Sequence, residues 1–357
     1  MKKSFDEVFE DKTKYGTKIK ANEYYENGKY IIVDQGQNEV AGYTDLEKGL
    51  FTEVPVIVFG DHTRIIKYIN TPFFLGADGI KILRSKIKNA NYKYLYYALK
   101  NAKIPNTGYN RHFKWLKKVE VEYPEIEKQS IIVDILDNIC HIINARQQEL
   151  KKLDDLVRAR FVEMFTSIKK ERLLGDISEF VTVGIANSAT HAYTDSGIPM
   201  LRNQNIKENH LDDSDLIYIN PEFAAKYESK KLKENDIIVM RTGYPGVACL
   251  VPSEYEGCQT FTTLIVRLKE DNNPRYVCSY INSDLGKSFI ESEKVGVAQQ
   301  NVGAKSLAKM PIRIAPKDLQ DEYVAFVAQV DKSKAAVQKA LDETQLLFDS
   351  LMQEYFG

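Results

Sequence analysis

From Ile132 onward, apolar side chains recur at alternating spacings of four and three, through Ile132, Leu136, Ile139, Ile143, Leu150, Leu153 and Val157 to Met164. Arg146 and Arg160 fill the two seam positions that are not apolar. An α-helix gathers such positions into one stripe, so the spacing predicts a long helix with a coiled-coil seam. Its start falls near Glu125, because proline is tolerated at a first turn and Glu125 and Glu127 suit the positive end of the helix dipole behind Pro124. Run to Phe165, this helix would be on the order of 60 Å long at about 1.5 Å per residue.

The pattern returns after Pro316, at Tyr323, Val327, Val330, Lys334, Val337, Leu341, Thr344, Phe348, Leu351 and Tyr355. Each position is the earlier one shifted by 191 residues, and Gln129 with Gln320, Leu150 with Leu341, Leu156 with Leu347 and Phe165 with Phe356 are identities at that offset. One such helix could pack on its own domain. Two in register, each too long for one small domain and each needing a partner for its seam, predict an antiparallel pair joining two globular lobes.

Ahead of each helix the sequence turns strand-like. Tyr30-Ile31-Ile32-Val33 leads through a polar turn to Val54-Pro55-Val56-Ile57-Val58-Phe59-Gly60, and Ile198-Pro199-Met200-Leu201 leads through Arg202-Asn203-Gln204-Asn205 to Ile237-Ile238-Val239. The order is globule, long helix, globule, long helix, a tandem duplication. A length of 357 residues fits two domains plus helices.

These stretches resemble one family over the whole chain, the specificity subunit of type I restriction-modification systems. The resemblance is carried by Tyr30 to Asp45, by Leu174 to Gly184, by the turn, strand and proline pattern from Gly296 to Pro316, and by the helix starts Pro124-Glu-Ile-Glu-Lys-Gln129 and Pro316-Lys-Asp-Leu-Gln320. The first domain departs from the pattern: its opening before Tyr30 is short, and Gly108 to Phe113 lacks the glutamine of the second. The resemblance implies an α+β fold, a tandem repeat of a mixed α/β target-recognition domain followed by a long helix, the two helices forming an antiparallel coiled coil. The expected organisation is recognition domain 1 over 1–123, helix over 124–166, recognition domain 2 over 167–315 and helix over 316–357. It also implies double-stranded DNA as ligand, a bipartite target with one half per domain, and assembly with two modification subunits and with restriction subunits. S-adenosylmethionine, ATP and magnesium would belong to those partners and none to this chain.

The chemistry in the sequence agrees with a chain that reads and does not react. The nearest approach to a methyltransferase loop is Asn70-Thr71-Pro72-Phe73, which has the wrong second residue and no glycine-rich cofactor turn to accompany it. There is no phosphate-binding Gly-x-x-x-x-Gly-Lys loop. The histidines His62, His112, His141, His191 and His210 are scattered, and Cys140, Cys249, Cys258 and Cys278 form no CxxC pair. No apolar run approaches a membrane span and the N-terminus turns acidic early, so a cytoplasmic protein is expected.

Base-reading chemistry gathers in the turns, since arginine suits guanine and asparagine or glutamine suits adenine. In the first domain the candidates are Gln35, Gln37, Asn38, His62, Thr63, Arg64, Asn106, Tyr109, Asn110, Arg111 and His112, with Lys67, Lys103 and Lys114 suited to phosphates. In the second they are Arg202, Asn203, Gln204, Asn205, Arg241, Thr242, Tyr244, Gln299, Gln300 and Asn301. For any one of them, a turn residue satisfying backbone groups is the competing reading. As clusters at matching places in two repeats they point to DNA. The formal net charge of -1 favours instead a two-lobed protein-binding scaffold with a coiled-coil spacer, and requires any phosphate-binding surface to be local.

Overall fold

The computed structural model describes residues 1–357 apart from 77, 109, 187–189 and 295–299. The chain forms two compact units, Met1–Gln148 with Val337–Gly357, and Glu149–Ala336.

Both long helices are present, Ile126–Phe165 and Lys317–Phe356. Their starts are built alike. Gln129 and Gln320 are buried and each returns its side-chain amide to the carbonyl five residues back, Gln129 to Pro124 at 2.8 Å and Gln320 to Ala315 at 2.9 Å. That bond satisfies a carbonyl where the chain turns into the helix, which explains why glutamine recurs at this place in both helices. The helices pack antiparallel within each unit. In the first, the Arg146 guanidinium donates to the Ala340 carbonyl and the Thr344 hydroxyl. In the second, Arg160 pairs with Glu322 at 3.0 Å and the Phe161 and Tyr323 rings meet edge to face at 5.5 Å. Ile132, Leu136, Ile139, Ile143, Val327, Val330 and Phe348 are buried, whereas Leu150, Leu153, Val157, Val337, Leu341 and Leu351 are half-buried. A two-helix seam covers a side chain from one side and leaves its flanks to water.

The first unit carries an antiparallel sheet in the order Phe9–Asp11, Ile80–Ser85, Val56–Gly60, Ile66–Ile69. A second sheet orders Gly42–Thr44, Tyr30–Val33, Phe73–Leu75, the last two parallel. The second unit repeats both. Its antiparallel sheet runs Ser178–Val183, Leu264–Leu268, Ile237–Val239, Ala248–Leu250, and its other sheet runs Tyr193–Thr194, Ile217–Ile219, Ile198–Leu201, Gln259–Thr260, again ending in a parallel pair. The apolar runs Val56 to Phe59 and Ile237 to Val239 alternate with nothing polar because both faces are covered.

The domain openings differ from the sequence expectation. The structural counterpart of Leu174 to Gly184 is not the stretch from Tyr30 but the very start of the chain. Strand Lys2–Ser4 pairs with Glu120–Glu122 and runs into helix Phe5–Val8, as strand Glu171–Leu173 pairs with Pro311–Arg313 and runs into Leu174–Ile177. Phe5 N–H donates to the Val119 carbonyl and Leu174 N–H to the Met310 carbonyl, the same bond in each repeat. The first domain's opening makes the same strand-to-helix bond as the second, and the signal was hidden because its apolar pattern is shared far more than its residues.

Candidate nucleic-acid interface

The chain leaves the strands of each unit through three polar segments that are tied to one another. In the first unit these are Gln35 to Asn38 after Tyr30–Val33, Asp61 to Arg64 after Val56–Gly60, and Asn106 to His112 before helix Phe113–Leu116. Gln35 joins the first to the second: its Oε1 accepts from His62 N–H at 3.3 Å, and the Thr63 hydroxyl donates to the Gln35 carbonyl at 2.7 Å. The buried pair Asp61 and His112 joins the second to the third. His112 N–H donates to the Asp61 carbonyl at 2.8 Å, His112 Nδ1 lies 3.0 Å from the same oxygen, and Asp61 Oδ1 accepts from Phe113 N–H at 2.6 Å.

The second unit has the same plan with other residues. Arg202 to Asn205 follow Ile198–Leu201, Arg241 to Tyr244 follow Ile237–Val239, and Gln300 and Asn301 precede helix Ala304–Leu307. Asn203 Nδ2 donates to Thr242 Oγ1 at 2.8 Å and its Oδ1 accepts from Arg241 N–H at 3.3 Å. Thr242 and Asn301 form an antiparallel bridge, and Val302 N–H donates to the Arg241 carbonyl at 3.2 Å.

The exposed members are Gln37, Asn38, Thr63, Lys103, Asn106, Asn110, Arg111 and Lys114 in the first unit and Gln204, Tyr244 and Gln300 in the second, with Tyr244 78% exposed. Gln35, Arg64, Arg202, Asn203, Arg241, Thr242 and Asn301 are half-buried. Tyr109 and Gln299 lie outside the described residues.

Three candidates work in the interior and cannot meet DNA in this conformation. Lys67 is buried, donating to the Asn38 carbonyl at 2.5 Å and pairing with Asp34 at 3.4 Å, and burial pushes its ammonium below the usual lysine range against the pull of Asp34. His112 is fully buried in the bonds just described. Asn205 is buried, receiving Arg202 N–H at 2.9 Å and donating to the Asp212 and Asp215 carbonyls at 2.9 and 3.1 Å. All three shape the loops that carry their exposed neighbours.

Sequence reasoning passed over the acids that organise these segments. Asp215 accepts from Arg202 at 3.1 Å and from the Gln204 amide. Asp78 supplies the carbonyl that receives Gln35 Nε2 at 3.2 Å, and the Lys18 ammonium on its carboxylate holds it below the usual range. Their signal was the acidic run Asp212-Asp213-Ser214-Asp215 in the second unit. In the first there was none beyond an ordinary turn.

A family model described as the type I restriction modification DNA specificity domain matches the chain twice, over residues 1–153 and 168–344. The chain belongs to this family. Its two specificity domains each hold one three-segment cluster, and the family gives the chain a role in DNA sequence specificity. The fold is similar to that of the type I restriction-modification S subunit from M. genitalium, at 16% identity, covering 100% of this chain and 96% of that one, with a TM-score of 0.58. It is also similar to a chain from a structure concerning complex assembly and conformational transition of the type I R-M system, at 13% identity, with 100% and 97% covered and a TM-score of 0.59. No curated protein matches the chain in sequence. Among the described residues no helix is long and apolar enough to cross a membrane, and no group of His, Cys, Asp and Glu is placed to hold a metal ion.

Proposed function

We propose that the chain reads a bipartite duplex DNA target, one half with each specificity domain, and leaves the chemistry to partner subunits. The observation that carries this reading is the polar three-segment cluster built twice on matching strands from different side chains. Two sites of one architecture and unlike chemistry suit two half-sites of unlike sequence. Exposed Gln37, Asn38, Asn110 and Arg111 in the first cluster, and Gln204 and Gln300 in the second, offer the amide and guanidinium groups that address adenine and guanine edges. Lys114 is exposed and suits a phosphate.

On this reading two modification subunits methylate adenine with S-adenosylmethionine, and restriction subunits use ATP and magnesium. The likeness to a chain from a type I assembly supports such partners. The long helices set the unread spacer. The test is to exchange residues 1–123 for the corresponding domain of a relative and map genomic methylation in cells that also make the partner subunits. One half of the methylated site should change while the other persists. Alteration of both halves, or of neither, overturns the assignment of one half per domain.

A further inference from the structure

Gln35 and Asn203 occupy the same place in the two repeats. Each stands two residues beyond the strand that pairs in parallel, Tyr30–Val33 in the first unit and Ile198–Leu201 in the second. Each turns its side-chain carbonyl oxygen onto a backbone N–H of the second polar segment, Gln35 onto His62 and Asn203 onto Arg241, both at 3.3 Å. Each also donates its amide nitrogen to another group of its own unit, Gln35 to the Asp78 carbonyl at 3.2 Å and Asn203 to Thr242 Oγ1 at 2.8 Å. The side chains differ in length and their neighbours differ in identity, yet the bond between the first and second segments is the same. With both ends of the amide engaged and the residue half-buried, little is left to address a base edge.

We propose that Gln35 and Asn203 are positioning residues, each holding the second segment of its own domain in the shape that reads DNA without itself touching a base. The inference rests on the proposed reading of a bipartite target. A segment held before binding does not have to be ordered during it, and its exposed side chains reach a base edge at one angle instead of many. Loss of the amide should therefore blunt discrimination across a whole half-site, whereas loss of a base-contacting side chain relaxes one position.

The experiment retains duplexes from a random-sequence pool on the purified full-length chain and sequences those bound. The wild type is expected to enrich two half-sites. Asn203→Ala should lower base discrimination about tenfold throughout one half and leave the other as in the wild type. Gln35→Ala should do the same to the opposite half. A denaturation midpoint of the mutated unit within experimental error of the wild type reports that each variant is folded, and the intact half reports that the loss is confined to one domain. Asn203→Asp keeps an acceptor for Arg241 N–H and can accept from the Thr242 hydroxyl, so it should restore discrimination. Its added charge weakens all duplexes alike and cancels in the ratio. An alanine variant that keeps full discrimination in its own half, or that relaxes a single base position, overturns the positioning role while the bipartite reading stands. A wild type that enriches no sequence overturns that reading and this inference together.

Discussion

Asp236 shows how much one side chain can hold. It is buried immediately before strand Ile237–Val239, accepts from Arg267 at 2.6 and 2.8 Å, and receives Lys233 N–H at 2.8 Å, while the Arg267 guanidinium lies over the Phe180 ring. Removing one partner of such a pair leaves the other charge buried without compensation, a cost of about 3 kcal/mol or more. Asp236→Ala should therefore destabilise the second unit by about that amount in denaturant unfolding, and an unchanged midpoint would deny the pair its structural role. Sequence could name the polar residues at this scale but not sort them. Lys67 and Lys114 read alike, as do Asn205 and Gln204, yet one of each pair is interior. What decides is a partner far along the chain: Asp34 for Lys67, and for His112 an aspartate 51 residues away.

Helices were the most legible elements, because a heptad stripe needs no knowledge of the rest of the fold. The expected span from Glu125 to Phe165 differs from the observed Ile126–Phe165 by one residue. The strands after Tyr30 and before Gly60 were legible as apolar runs, whereas the pairing that makes one of them parallel depends on residues some forty positions on and left no local mark. Two seam substitutions separate packing from register. Leu136 is fully buried among Tyr94, Ile132 and Met352 of one apolar cluster, so Leu136→Ala should cost about 2–5 kcal/mol. Arg146 contributes bonds to Ala340 and Thr344 at a half-buried site, and a leucine there makes the seam apolar from Ile132 to Val157, so Arg146→Leu should shift stability by less than about 1.5 kcal/mol. Denaturation curves of the two variants measured side by side check both, and equal losses would mean that the arginine is as much a packing residue as the leucine.

At the scale of the whole molecule the duplication was visible in the helices, where the offset of 191 residues holds without a gap, and faint in the domains, whose loops share geometry but not residues. On the proposed reading the helices act as a spacer. One heptad inserted after Leu150 and a matching one after Leu341 keeps both seams in phase and adds about 10 Å of helix, the length of roughly three base pairs. Methylation mapped with this variant should show the same half-sites separated by a longer spacer, and an unchanged spacer at full activity would show that helix length does not set it.

The first unit is not contiguous in sequence. Residues 337–357 belong to it, with Phe348 and Met352 buried in the same cluster as Phe5 and Leu95, and the Phe356 ring 5.2 Å from that of Tyr94. The ribosome therefore releases the N-terminal domain with one side of its core bare, and must translate all of Glu149–Ala336 before the cover emerges. At about 5–20 residues per second that interval lasts roughly ten to forty seconds, during which the nascent domain offers apolar surface to chaperones or to other chains. A premature stop after Ala336 would thus spare the later domain and cripple the earlier one.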